Sequence, residues 1–319
     1  MEVKKPFQSD LVKILNYFEN GNHQEAEKLA IITTEQFPNH PFSWKILGII
    51  FSQTGRLSKS LEAKQKVANL IPEDPDVHQN LGVIFQKLGR LTEAEISFRR
   101  AIEIKFNFVE AHISLGSTLK EMGKLKEALV IFNKVLELKP DASNVYNHLG
   151  ALFIDLGELD NALSIYRSAI KLKPDPVSYN NLGITLKKMG KLDEAKVCYN
   201  KAIALKPNFA DAYSNLGVLQ LKLNKFDHAE SNFRRAIELN PKLANAHHNL
   251  GRVLKELGKL DEAEISYRNA IKFQNNFDSA IAGLGMVQMK KGNHKEGLKN
   301  LRMSKGSILF DIKNGVFIK

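Results

Sequence analysis

Apolar residues return along this chain at helical spacing and in blocks that repeat. Leu47, Leu81, Leu115, Leu149, Leu182, Leu216, Leu250 and Leu284 each stand directly before a glycine. Those glycines, Gly48 to Gly285, recur every 34 residues, except that 33 separate Gly150 from Gly183. The missing residue falls where Pro174-Asp175-Pro176 replaces a stretch like Pro140-Asp141-Ala142-Ser143. That is loop sequence, so the helical register on either side survives. A fixed period in this range marks a repeat architecture. Further columns keep the same beat: Ala94, Ala128, Ala162, Ala195, Ala229 and Ala263, then Phe98, Phe132, Tyr166, Tyr199, Phe233 and Tyr267. Ala101, Ala169, Ala202, Ala236 and Ala270 follow, with Val135 in one place.

Seven residues after the first glycine column comes a second: Gly55, Gly89, Gly123, Gly157, Gly190, Gly258 and Gly292, with Asn224 in the remaining place. Glycine, and after it asparagine, best tolerates the left-handed backbone that closes a helix. One helix therefore ends near this column and another begins just past it. Asp160, Asp193, Asp227 and Asp261 fall at the start of that second helix, where capping and the helix dipole favour them. Pro72, Pro140, Pro174, Pro207 and Pro241 end it, and Pro75 and Pro176 suit the first turn of the next helix. The first glycine column lies inside a helix, where each glycine costs about 0.8–1 kcal/mol relative to alanine. A column held in register needs a packing reason, and small residues on facing helices supply one by letting the axes approach.

This pattern predicts an all-α fold, an α-solenoid of about nine antiparallel helix pairs. The pairs occupy 7–40, 41–74, 75–108, 109–142, 143–175, 176–209, 210–243, 244–277 and 278–311, with tails over 1–6 and 312–319. From Ser307 the helical period is lost. Asn314-Gly315, flanked by Ile308, Phe310, Ile312, Val316 and Ile318, predicts a short hairpin over 307–319, resting on the last pair or opening a further domain. Its abrupt end fits a chain cut from something longer.

Taken together, the columns resemble the tetratricopeptide repeat family from about Phe7 to Asp311, and the resemblance implies that the α-solenoid is right-handed. The first pair departs from the pattern with Ile14 in the glycine column, yet it keeps Gly21, Ala26 and Pro38. The second has Ser60, Lys64 and Val67 where small and aromatic residues are usual, and the ninth has Gly297 and Ser304 in the alanine columns. End repeats have one neighbour and tolerate such changes.

Composition narrows the function. Across 319 residues, 43% are hydrophobic and 25% charged, as in ordinary globular proteins. The single cysteine, Cys198, excludes an internal disulfide framework, and a buried inert thiol is the expectation. No apolar run approaches the roughly 20 residues of a membrane span. The N-terminus lacks a signal-peptide pattern, so a cytoplasmic location is expected. His78, His112 and His247 share a column with Trp44, Tyr146, Tyr179 and Tyr213, and one residue per stacked pair cannot converge on a metal. They read as flat packing residues. Asp193-Glu194 and Asp261-Glu262 recur at one place in the repeat and read as helix-start residues. No nucleotide, metalloprotease or serine-hydrolase motif is present, so the chain reads as non-enzymatic, with no catalytic residue, cofactor or metal.

The net charge is +11, from 46 Lys and Arg against 35 Asp and Glu. Arg99, Arg234 and Arg268 follow Glu95, Glu230 and Glu264 by four residues and read as solvated helix pairs. Another basic set lies late in the first helices: Lys87, Lys120, Lys187, Lys188, Lys222, Lys255 and Lys290, against Glu121, Asp155 and Glu256, with Arg252 nearby. In the family the first helices line the concave face, so the resemblance implies a basic groove; a purely solubilising pattern stands beside that reading. Asn80, Asn181, Asn215 and Asn249 form a column two residues before the glycines. In the O-GlcNAc transferase family a similar asparagine ladder holds peptide backbones, and the array resembles that region without a catalytic domain. The family's clamp for acidic C-terminal tails needs an asparagine just after the glycine, where this chain has Ile49, Val83, Ser117, Ala151, Ile184, Val218, Arg252 and Met286. The resemblance thus implies a scaffold for a protein or extended peptide, acidic peptides included, along Asn80, Asn181, Asn215, Asn249, Lys187, Lys188, Lys222 and Lys255. A substrate-targeting module of a larger or separate enzyme, such as a glycosyltransferase, is the alternative. Nucleic acid is disfavoured because no paired base-reading residues recur.

Overall fold

The structure, a computed structural model, describes residues 6–304 and the strands at 308–311 and 315–318. Residues 1–5 of the expected N-terminal tail lie outside the described residues, as do 305–307, Lys319 and the 312–314 segment holding the expected hairpin turn at Asn314. The chain forms two compact units, Met1–Leu156 and Gly157–Lys319.

Met1–Leu156 holds α1 (Gln8–Glu19), α2 (His23–Gln36), α3 (Pro41–Gln53), α4 (Leu57–Leu70), α5 (Pro75–Lys87), α6 (Leu91–Ile104), α7 (Val109–Glu121), α8 (Leu125–Leu138) and α9 (Ser143–Asp155). Gly157–Lys319 holds α10 (Leu159–Leu172), α11 (Pro176–Lys188), α12 (Leu192–Leu205), α13 (Ala210–Lys222), α14 (Phe226–Leu239), α15 (Ala244–Glu256), α16 (Leu260–Phe273), α17 (Asp278–Lys290) and α18 (His294–Met303). Within each unit antiparallel pairs stack as an α-solenoid, each helix packing on the next. First helices of successive pairs also touch, α5 on α7 and α7 on α9 in one unit, α11 on α13 and α13 on α15 in the other. The first helices therefore form the inner side of each stack.

The boundaries follow local chemistry. Gly89 (φ 72°) and Asn224 (φ 55°) close α5 and α13 in the left-handed region. Pro75 and Pro176 open α5 and α11, where Asp74 and Asp175 cap the helix by accepting from the backbone N–H groups of Asp76 (3.0 Å) and Val177 (2.9 Å). The second helices start differently from expectation. Asp193-Glu194 and Asp261-Glu262 lie inside the first turns of α12 and α16, and the N-cap residues Lys191 and Lys259 make no side-chain cap bond. Those acids act through the helix dipole, not through capping.

The glycine column has a sharper cause than close axes alone. At Gly82, Gly116, Gly183, Gly217 and Gly251 an aromatic ring of the second helix lies directly against the glycine: a Cβ built on Gly116 would meet Phe132 at 2.7 Å, and one on Gly217 would meet Phe233 at 2.8 Å. Phe98, Phe132, Tyr199, Phe233 and Tyr267 are completely or almost completely buried in these seats. The first pair reverses the volumes, with Ile14 in the glycine column and Ala30 in the ring column, both fully buried in one cluster. The last pair ends earlier than 311. α18 stops at Met303, and Ile308–Asp311 pairs antiparallel with Gly315–Ile318, Ile308 opposite Ile318 and Asp311 opposite Gly315. The β-branched, aperiodic sequence after Ser304 explains that stop.

Candidate binding surface on the first helices

In Gly157–Lys319 the asparagine column lies on the first helices α11, α13 and α15, and each residue is half-buried. The carboxamides are partly engaged. Asn215 Nδ2 donates to Asn180 Oδ1 at 2.9 Å, Asn180 Nδ2 donates weakly to Asn181 Oδ1 at 3.4 Å, and Arg252 donates to Asn249 Oδ1 at 3.2 Å. Asn180, which is buried, went unread in the sequence because it stands one place outside the repeating column. Nδ2 of Asn181, Oδ1 of Asn215 and Nδ2 of Asn249 have no hydrogen-bond partner among the described residues. Asn80, in the other unit, is exposed, and its Nδ2 donates to its own helix at Asp76 O, 2.8 Å away.

The lysines separate into paired and unpaired. Among the described residues Lys187, Lys188 and Lys222 carry no ion pair. Burial, reinforced by the like charges of Lys188 and Lys222, lowers the pKa of Lys187. Lys255 is drawn to Glu256 at 3.2 Å, and in the N-terminal unit Lys120 is neutralised by Asp155 at 3.0 Å. A depression of about 390 Å³ on α13, α15 and the loop after α13 is lined by Val218, Leu221, Lys222, Phe226, Arg252 and Glu256. Such a surface offers amide and ammonium donors beside aliphatic walls. Those are the groups that a peptide backbone and acidic side chains can use.

The histidine column fastens loops. Nε2 of His78 lies 2.7 Å from Pro72 O and Nε2 of His247 lies 3.0 Å from Pro241 O. Trp44 and Tyr146 donate to Pro38 O and Pro140 O in the same way, at 3.0 Å each. His112, which lacks a proline six residues earlier, instead places Nδ1 3.0 Å from Phe108 O. His248, one place along, packs on Tyr267 and Phe277; burial and then the Arg252 charge push its pKa down to about 4. Cys198 is buried, and burial raises its pKa, which disfavours the reactive thiolate. No group of three or more His, Cys, Asp or Glu able to hold a metal ion occurs among the described residues.

The outer surface differs from the sequence expectation. Glu95 and Glu230, read as members of exposed pairs, are largely buried and bridge neighbouring repeats. Lys124 reaches Glu95 at 2.7 Å and Lys259 reaches Glu230 at 2.9 Å, while Arg99 and Arg234 pair with the same glutamates within their own helices and with Glu127 and Glu262 of the next repeat. Arg56 and Glu27 make the same link at 2.6 Å, and Lys291 joins Glu264 at 2.6 Å. The hydrogen bond from Lys124 holds the Glu95 carboxyl below its ordinary value near 4.5, and Lys291 does the same for Glu264. In three of these links an acid stands 29 residues before its base, and in the fourth 27, a spacing masked in the sequence, for Glu95, Glu230 and Glu264, by the nearer arginine four residues on.

Helix pairs with ring-on-glycine seats, left-handed closing residues and a polar inner side define a tetratricopeptide-repeat protein, a fold that serves generally as a protein-interaction scaffold. Residues 75–108 match the tetratricopeptide repeat, and residues 105–307 match the family described as the cilia and flagella-associated protein 70 C-terminal domain. The chain belongs to that family. Comparison with curated proteins gives no match. Among solved structures, the chain is similar to the APC/C hetero-tetramer Cut9-Hcn1 at 20% identity, with a TM-score of 0.62 over 87% of this chain and 55% of that one. It thus spans about half the length of that relative. It is also similar to a tetratricopeptide repeat protein from Parabacteroides merdae at 19% identity, with a TM-score of 0.64 over 77% of this chain and 98% of that one. At these identities the likeness concerns the fold. No helix among the described residues is long and apolar enough to cross a membrane.

Proposed function

We propose that the protein is a non-enzymatic scaffold that holds an extended peptide of a partner protein against the first helices of Gly157–Lys319. The observation that carries this reading is the set of open carboxamide positions on Asn181, Asn215 and Asn249, with Lys187, Lys188 and Lys222, which lack ion pairs among the described residues, further along the same first helices. A carboxamide can both donate to and accept from a peptide group, and it does so without regard to sequence. The lysines add a preference for acidic side chains, and Lys255 and Asn80 belong to the same columns with their groups already engaged. The reading places the scaffold in the cytoplasm, and the family's name directs the search for partners to cilia and flagella.

Asn215 is a poor choice for mutation because its loss would leave the buried Asn180 oxygen without its donor, at about 1–3 kcal/mol. The test is therefore capture of partners from lysate by the parent, by Asn181→Ala/Asn249→Ala, and by Lys187→Ala/Lys188→Ala/Lys222→Ala, at low and high salt. The asparagine variant should lose partners of every composition. The lysine variant should lose acidic ones and most of the salt dependence. Equal capture by all three proteins, with unchanged circular dichroism, would refute this surface.

A further inference from the structure

The second helix pair breaks the ring-on-glycine rule, and a cavity opens there. Lys64 occupies the place of the ring, its stem against Gly48, where an added Cβ would meet Lys64 Cγ at 3.1 Å. Beside it lies a half-open cavity of about 100 Å³, lined by Lys45, Ile49, Lys64, Val67, Val77 and Asn80, with Asp76 also on its wall. The lining is chiefly aliphatic and lies within Met1–Leu156.

The charges at this cavity are unevenly satisfied. Lys45 is held by Asp74 at 3.1 Å, and Lys87 donates to Ser52 Oγ at 3.0 Å. Lys64 has no hydrogen bond or ion pair among the described residues. Burial, followed by the Lys87 charge, lowers its pKa. A half-buried ammonium facing another cation and lacking a counterion is stabilised by an incoming anion.

We propose that this cavity anchors the C-terminal residue of a partner peptide, its leucine- or valine-sized side chain between Ile49, Val67 and Val77 and its α-carboxylate on Lys64. The volume sets the side chain. A water occupies about 30 Å³ of liquid and a cavity of about 150 Å³ accepts benzene, so this space suits a branched aliphatic group. The charge sets the rest, because only at a chain terminus do an aliphatic side chain and a carboxylate hang from the same carbon. The peptide as source rests on the scaffold reading above; the cavity itself is tested without it.

The test titrates the full chain, methyl-labelled at Ile and Val, with N-acetyl-L-leucine and N-acetyl-L-leucinamide, following the Ile49, Val67 and Val77 methyl signals by NMR. The acid should produce saturable shifts and bind about tenfold or more tightly than the amide, as expected of a hydrogen bond to a charged group. Lys64→Met should abolish that preference, and Lys64→Phe, which restores the ring, should abolish the shifts. Equal binding of acid and amide, or no saturable shift from either, overturns the proposal. Tighter binding of free leucine than of N-acetyl-leucine overturns it in favour of a free amino acid that also uses Asp76. Absence of leucine binding alongside partner loss in the Asn181→Ala/Asn249→Ala variant would remove the anchor and leave the scaffold reading intact.

Discussion

Replacing a central glycine by alanine should have opposite effects at two places in the same sequence column. Helix propensity alone favours alanine by about 0.8–1 kcal/mol at either site. At Gly217 the new methyl would meet three atoms of the Phe233 ring at 2.8–2.9 Å, and that ring is fully buried. Overpacking of this kind costs about 1–3 kcal/mol, so the net change should be a loss centred on ~1 kcal/mol and reaching ~2 kcal/mol. At Gly48 the nearest atom is Cγ of the flexible, partly exposed Lys64 at 3.1 Å, which can shift. Gly48→Ala should therefore be neutral or stabilising. Denaturant unfolding gives the sign, and native-state hydrogen exchange of the α13 and α14 amides locates it, which matters because repeat arrays need not unfold in one step. Phe233→Leu should relieve the clash, so the Gly217→Ala/Phe233→Leu double variant should show a favourable coupling of about 0.5–3 kcal/mol. Equal stabilisation by Gly217→Ala and Gly48→Ala, or strict additivity in the double variant, would refute the ring-seat explanation.

Two pH effects follow from the shifted groups. The Glu95 carboxyl is held below 4.5 in the folded state by Lys124, so its contribution is complete above that pH and is lost as pH falls through the lowered folded value; Glu95→Gln should flatten the acid side of a plot of urea midpoint against pH. His248 titrates at about 4 when folded against an ordinary 6.5, because burial and then Arg252 disfavour its charged form. Its contribution is present above pH 6.5 and is lost as pH falls towards 4. The ring proton signals of His248 should titrate near pH 4 by NMR, and a midpoint near 6.5 would contradict the burial.

What the sequence made legible is what recurs within one period. The Gly82, Gly116 and Gly217 column, the closing Gly89 and Asn224, and the prolines at 75 and 176 each act inside one pair or its adjoining loop, so the repeat displays them directly. The loop fastening by Trp44, His78, Tyr146 and His247 was half visible: the column showed flat residues, but the bond goes to the carbonyl of a proline six residues back, and a carbonyl has no sequence signature. The hydrogen-bonding state of the asparagines was invisible for a related reason. Asn181 and Asn215 look equivalent in the column, yet Asn215 is committed to Asn180, a buried carboxamide on the preceding first helix that lies one place outside the column.

The links between repeats were the hardest to read, and they bear on how the arrays resist unfolding. In a solenoid each pair touches only its neighbours, so stability divides into terms within pairs and terms across their interfaces. The ring-on-glycine seats are terms within pairs. The Glu27–Arg56, Glu95–Lys124 and Glu230–Lys259 contacts are interface terms, each joining a second helix to the turn closing the next first helix. Their glutamates are largely shielded while the bases remain half-exposed, so removing the acid differs from removing the base. Glu230→Gln leaves Lys259 free to turn to water and Arg234 still paired with Glu262. Lys259→Met leaves the largely buried Glu230 with Arg234 as its one remaining cation, and that carboxylate cannot turn outward as a lysine does. The base substitution should therefore loosen the α14–α15 interface more than the acid substitution does, read as faster hydrogen exchange in α14 and α15. The reverse order would show that the cations, not the glutamates, are the groups committed to the interface.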